Sequence, residues 1–255
     1  MKAGKMILIV MMVLLFLIGL AVFLYPYIHK VVVDTTLRND AQEFIDRVTV
    51  ELWEEETLPE EQEEPEPTAP TEPPYLDLLE AMQEYNERIY LEEQEGLCDP
   101  WSYQQPSFTL GDYGLENEVF GVISIPKLDL EMPLYLGATY QHLADGAAHL
   151  SQTSIPIGGN NTNCVIAGHR GWKGASYFRY ITDLKPGDQV IITNLWERLT
   201  YEVTETKIIQ PNDVEKIHIQ QDRDLITLLT CHPYASGGKQ RYLVFCDRVY
   251  EQEES

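Results

Sequence analysis

The chain has 255 residues, enough for one ordinary domain with extensions rather than two full domains. Its formal charge of −23 argues against nucleic-acid binding, which needs a basic footprint. The acidity is uneven: residues 1–106 hold 22 Asp and Glu against 6 Lys and Arg, whereas residues 107–255 hold 19 against 12.

Residues 1–5 form a short, basic N-terminus with Lys2 and Lys5. An uncharged apolar run of 22 residues follows, from Met6 to Tyr27. At 1.5 Å per helical residue it can cross a hydrocarbon core of about 30 Å. A cleaved signal peptide usually has a shorter apolar stretch and small residues at its cleavage site. Here the run ends in Tyr25-Pro26-Tyr27, which suits a membrane interface. Residues 6–27 are therefore expected to be a retained single-pass anchor in membrane lipid. The charge contrast across it places the N-terminus in the cytoplasm and the remainder outside.

Residues 28–50 read as a juxtamembrane helix. Residues 51–74 hold ten Glu, six Pro and no Lys or Arg. Proline removes backbone donors and the glutamates repel one another, so this stretch is expected to be a solvated spacer. Helical spacing returns from residue 75, with Leu76, Leu79, Met82 and Ile89 as a partial apolar stripe. Gly96 breaks that helix, and Cys98-Asp99-Pro100-Trp101 follows as a loop within a segment ending near 106.

From residue 107 to 250 the pattern is short β-like runs separated by turn residues. Strands are expected at 119–125, 132–136, 162–167, 188–194, 199–209, 225–231 and 241–249. Gly158-Gly159-Asn160, Pro186-Gly187-Asp188 and Gly237-Gly238 punctuate them. Many short strands and few helices indicate a mainly β domain, a closed barrel or a sandwich. Residues 251–255 are an acidic tail.

Four cysteines are spaced too widely for a zinc clip, and scattered Asp and Glu read as a solvated face, so no metal site or cofactor is expected. Cys164 and Cys246 sit inside apolar runs and read as core residues. Cys231 differs. It ends the run Leu225–Leu229 and stands just before Pro233, where strand pairing must stop. A thiol at a strand exit can be partly exposed, as a reactive one must be. Side chains alternate along a strand, so His232 points away from Cys231 and is a poor base for it. His169, between Gly168 and Gly171, lies at another strand end. Arg241 opens the run after the Gly237-Gly238 loop, so neighbouring strands could bring it to Cys231.

These three residue types suit one chemistry. A thiolate attacks a carbonyl, and a nearby imidazole moves the proton. A guanidinium supplies donors to the negative oxygen that develops. Taken singly, each residue could as well be a core thiol, a structural imidazole or a surface cation.

Together the three segments resemble the sortases. Thr227-Leu228-Leu229-Thr230-Cys231 matches the family's Thr-Leu-x-Thr-Cys signature, and His169 and Arg241 match its catalytic His and Arg. The resemblance covers roughly residues 75–250. It implies an eight-stranded sortase-type β-barrel with short helices, preceded by the membrane helix and N-terminal helices, with Cys231, His169 and Arg241 as catalytic residues. Thr230, inside the signature, is a candidate substrate contact. Asp99-Pro100-Trp101 looks like the lid of class C, pilus-building sortases, which implies that Asp99 meets Arg241 and Trp101 covers Cys231. Tyr85-Asn86 and the stretch Gly146–Gly159 also resemble that class. Two features depart from it: the chain ends soon after its last strand, so a single anchor is expected, and the Glu/Pro spacer is unusual.

The resemblance implies a transpeptidase that cleaves an LPxTG-like sorting signal between Thr and Gly. Its partners would be pilin or surface-protein substrates, the acyl product being joined to a pilin lysine. Attachment to a cell-wall peptide is the alternative within the family. A membrane-tethered binding protein without catalysis is the alternative from another class.

Overall fold

The computed structural model describes residues 2–49, 72–103, 105–172 and 175–250. The acidic tail, and all but the last residues of the acidic spacer expected at 51–74, lie outside the described residues.

Helix α1 runs from Lys2 to Val48 without a break at Pro26. Its apolar first half is exposed and contains an 18-residue stretch with a mean hydropathy of 3.3, so it is a candidate membrane anchor. Its second half is amphipathic. Leu37, Ala41, Phe44 and Val48, spaced at helical intervals, are buried against the rest of the protein. Each large side chain in that stripe contributes about 2 kcal/mol on burial. Polar ties add direction: Asp34 accepts from the Ser176 backbone N–H at 2.9 Å, and Arg38 pairs with Asp129 at 3.0 Å.

Helix α2 spans Leu76–Leu91. Its buried face is Leu78, Met82, Tyr85, Asn86 and Ile89, not the stripe through Leu76 and Leu79 expected from apolarity alone. The contact row is completed by an aromatic and an amide. Asn86 accepts from the Ile155 N–H at 2.7 Å and donates to the Ile155 carbonyl at 3.3 Å, so its side chain pairs like a strand residue. The Tyr85 hydroxyl accepts from the Gln152 N–H at 3.1 Å. The two sequence stretches that resemble class C, Tyr85-Asn86 and 146–159, are thus in contact.

Eight strands follow: β1 Val119–Ile125, β2 Leu130–Leu136, β3 Ala147–His149, β4 Thr162–Ala167, β5 Gln189–Thr193, β6 Arg198–Ile209, β7 Asp224–His232 and β8 Gln240–Arg248. A short helix α3, Tyr140–Asp145, precedes β3. The strands close into a barrel in the order β1-β2-β3-β4-β7-β8-β6-β5. Pairs β2–β3 and β4–β7 are parallel; the others are antiparallel. Seven strands fall where the sequence predicts them. The eighth, β3, has three residues and no β-branched side chain, so it carries no local signal.

Both faces of the central strands are buried, which is why β4 and β7 read as continuous apolar runs. Ile226 and Leu228 point into the barrel core with Ile166, Val244 and Cys246. Leu229 points outward and packs with Val165, Ala167, Leu243 and Phe245. Leu97 and Trp101 cover that outer cluster. Alternation then fixes the exit of β7: Cys231 shares the face of Leu229, and Arg241 shares the face of Leu243. Cys164 and Cys246 are buried core thiols, as expected.

Candidate active site

Strands β7 and β8 place Cys231 directly opposite Arg241 in the antiparallel ladder. Parallel pairing of β4 with β7, Ala167 opposite Leu229, ends both strands at one rim and brings the turn carrying His169 to the same place. The Gly168 N–H donates to the Leu229 carbonyl at 3.1 Å, and the Thr230 hydroxyl donates to the Gly168 carbonyl at 2.7 Å. The turn before His169 is therefore held by two bonds from β7. A Cβ on Gly168 would lie 2.7 Å from the Phe178 ring, so only glycine fits there.

Thr230, a candidate substrate contact from the sequence, has its hydroxyl engaged by the Gly168 carbonyl. Thr230 has the parity of Leu228, points into the barrel and is fully buried. Its hydroxyl braces the His169 turn and has no open side.

Arg241 is 5% exposed. Its Nη1 donates to the Gly238 carbonyl at 2.6 Å and the Gln240 carbonyl at 3.0 Å, and lies 3.9 Å from the Cys231 Sγ. Its other edge makes a two-pronged pair with Asp99, Nε to Oδ1 at 2.6 Å and Nη2 to Oδ2 at 2.8 Å. Burial works against the guanidinium charge, and the Asp99 hydrogen bond and charge more than offset it. Gly238, at φ 71°, approaches so closely that a Cβ would sit 3.2 Å from both Arg241 Nη1 and Cys231 Sγ.

Trp101 lies over Arg241, with the guanidinium 4.8 Å from its ring centre, and meets the His169 ring edge-on at 6.1 Å. The segment Asp99–Trp101 therefore caps Arg241 and His169 together. Asp99 and Arg241 are 142 residues apart and are joined here only by folding.

His169 is stacked on Trp172, ring centres 4.4 Å apart and nearly parallel, and flanked edge-on by Tyr177 at 6.1 Å. This aromatic box buries it and drives its pKa down to about 4, so the ring is a neutral imidazole in this closed arrangement. Burial also raises the Cys231 thiol; Arg241 pulls it back and Asp99 pushes it further up. The pair is a thiol and a neutral imidazole, and no hydrogen bond joins them among the described residues.

His232 points away from Cys231, as alternation requires. Its Nδ1 lies 2.6 Å from Arg170 Nη1. Arg170 also reaches the Cys231 carbonyl at 3.5 Å, and it pulls the thiol down electrostatically. Sequence patterns did not point to Arg170, Trp172, Tyr177 or Gly238. Each acquires its place from tertiary contact, although Gly238 and Arg170 stand within the motifs that flag Arg241 and His169.

Residues 123–249 match the sortase domain family model. A solved structure of the pilus-related sortase C of Group B Streptococcus is 31% identical, with a TM-score of 0.62; the match covers 69% of this chain and 90% of that one. The chain belongs to the sortase family. A second structure, sortase C-1 from Actinomyces oris, is 30% identical with a TM-score of 0.61, covering 69% of this chain and 99% of that one. Among curated proteins, sortase D of Bacillus subtilis is 30% identical over 131 residues, which is 51% of this chain and 63% of that protein. The chain thus spans less than two thirds of that relative. The eight-stranded barrel expected from the sequence is the barrel observed, and the solved structures it resembles include sortases of the pilus class.

Proposed function

We propose that this sortase is a membrane-anchored cysteine transpeptidase of the pilus-building type. In this reading, Cys231 adds to the Thr–Gly carbonyl of an LPxTG-like sorting signal, and His169 takes the thiol proton. Arg241 donates to the oxyanion through the edge that Asp99 occupies in the closed form. Collapse breaks the C–N bond, the Gly amine leaves with the proton from His169, and a thioacyl enzyme remains. A pilin lysine amine then attacks, forming an isopeptide bond and releasing the Cys231 sulfur. The anchor in residues 6–27 would hold the catalytic domain outside the membrane with the N-terminus in the cytoplasm.

The observation that carries this reading is the cross-strand placement of Cys231 beside Arg241, with the His169 turn braced at the same rim. The Asp99–Arg241 pair favours the lidded, pilus-building class. The test offers an LPxTG peptide with either a lysine-bearing pilin peptide or a cell-wall-type amine. A lysine-linked product, lost in Cys231→Ala, supports polymerisation. Product with the wall-type amine alone moves the function to anchoring. No acyl transfer with either, even after Trp101→Ala, favours the non-catalytic alternative.

A further inference from the structure

Where the parallel strands β4 and β7 end, their register runs on into the site. Ala167 pairs with Leu229, so the next three positions set Gly168 beside Thr230, His169 beside Cys231 and Arg170 beside His232. The first of these pairs is closed by the Thr230 hydroxyl on the Gly168 carbonyl at 2.7 Å. The third is closed by Arg170 Nη1 on His232 Nδ1 at 2.6 Å. The middle pair has no hydrogen bond of its own among the described residues. Arg170 also reaches beyond His232. Its Nη1 lies 3.5 Å from the Cys231 carbonyl. Its Nη2 lies 3.4 Å from the Thr182 hydroxyl, in the 3-10 turn Tyr177–Asp183 whose Tyr177 flanks His169. A guanidinium only donates, so His232 Nδ1 accepts and the ring is neutral, with its proton on Nε2. Burial, and then the charge of Arg170, hold the His232 pKa below its ordinary range, which keeps that acceptor available.

We propose that Arg170, seated on His232, is a positioning residue for the catalytic pair: it is the outer half of a brace whose inner half is Thr230–Gly168, and it keeps a cation beside the Cys231 sulfur. The proposal rests on the transpeptidase reading above and gives roles to two residues outside the trio. Three observations support it. The two bonds bracket His169 and Cys231 by one residue on either side, so neither segment can slip past the other without breaking one. A single guanidinium joins the His169 turn, the exit of β7 and the 3-10 turn. The charged groups that act on the thiol are Arg241, Asp99 and Arg170. Arg241 is paired with Asp99, whereas Arg170 has no carboxylate partner among the described residues. When Arg241 turns to the oxyanion in the proposed mechanism, Arg170 is the cation left to the sulfur.

The test uses the full chain as Arg170→Met, Arg170→Lys, His232→Phe and the Arg170→Met/His232→Phe pair. Cleavage of an LPxTG peptide gives kcat and KM, and alkylation by iodoacetamide against pH gives the midpoint of Cys231. Arg170→Met should lower kcat about tenfold with KM within about twofold, because a misplaced reacting pair is felt in turnover rather than in peptide binding. Its alkylation midpoint should rise, since a positive neighbour is gone. Arg170→Lys keeps a charge and a donor and should recover most of both. His232→Phe should also lower kcat. The double variant should be no slower than Arg170→Met, because both changes remove one interaction. A general loss of stability would raise KM as well and would not be rescued by lysine. Parent-like kcat in Arg170→Met or His232→Phe, or losses that multiply in the double variant, overturn the brace. The two failures are separable. Absence of a thioacyl species in the parent counts against the transpeptidase reading, and the alkylation midpoint, which needs no peptide, still decides: if it does not move in Arg170→Met, Arg170 does not serve the sulfur.

Discussion

Cys231 and Arg241 face each other across the β7–β8 ladder, yet the guanidinium edge that the proposed mechanism offers to an oxyanion is held by Asp99. The Asp99 carboxylate therefore occupies that edge and, by its charge, pushes the Cys231 thiol pKa up. In the proposed mechanism, one residue thus opposes two requirements, a free guanidinium edge and a thiolate.

Asp99→Ala should relieve both. The Cys231 thiol should titrate lower, because a negative neighbour is gone and Arg241 remains. Alkylation by iodoacetamide, followed against pH, should show a lower midpoint and a several-fold faster rate near pH 7, since one pKa unit is tenfold in thiolate. An unchanged pH profile would mean that the pair does not govern the thiol.

Gly238→Ala places a methyl 3.2 Å from Arg241 Nη1 and from Cys231 Sγ, on a backbone with φ 71°. The left-handed backbone alone costs about 1 kcal/mol. The variant should keep its fold, with a modest fall in Tm, and lose at least tenfold in peptide cleavage. Activity at the parent's level would show that the loop can yield.

Thr230→Val keeps the shape and removes the hydroxyl that satisfies the buried Gly168 carbonyl. Leaving that acceptor without a partner should cost about 1–3 kcal/mol in denaturant unfolding. Because Gly168 precedes His169, turnover should fall as well. Parent-like values for both would remove Thr230 from its bracing role.

Two imidazoles set an acid limit. His169 and the fully buried His149 both have pKa values lowered to about 4 by burial, from an ordinary 6.5. Their folded forms bind fewer protons than the unfolded chain does. Stability is thus unimpaired above pH 6.5 and is lost as the pH falls toward 4, by up to about 3 kcal/mol per ring. His169→Gln should remove about half of that slope in chemical denaturation between pH 6.5 and 4. An unaltered slope would place the titration elsewhere.

Much of this site is written in local sequence. Strands β4, β7 and β8 announce themselves by apolar runs, and Arg241 follows Cys231 by ten positions across one hairpin, so their pairing follows from strand alternation. The acidity of residues 51–74 marks them off from the domain in the sequence alone. Other features have no local signature. Strand β3 exists because Ala147–His149 lies between β2 and β4, not because its residues prefer extension. The buried face of α2 depends on Asn86 pairing with Ile155, which apolar counting cannot find. Thr230 reads as part of a functional motif, and only its orientation into the barrel gives it a bracing role. The stacking of His169 on Trp172, three residues away, requires the turn to fold back on itself.

The most direct test is the covalent state of Cys231. The protein, with its lid released by Trp101→Ala, is mixed with an LPxTG peptide, quenched in acid and digested for mass spectrometry. The Cys231 peptide should gain the mass of the acyl fragment ending in Thr, and Cys231→Ala should give neither adduct nor cleavage. Cleavage of the signal in Cys231→Ala, or an acyl group on any other residue, would contradict the assignment of Cys231 as the nucleophile.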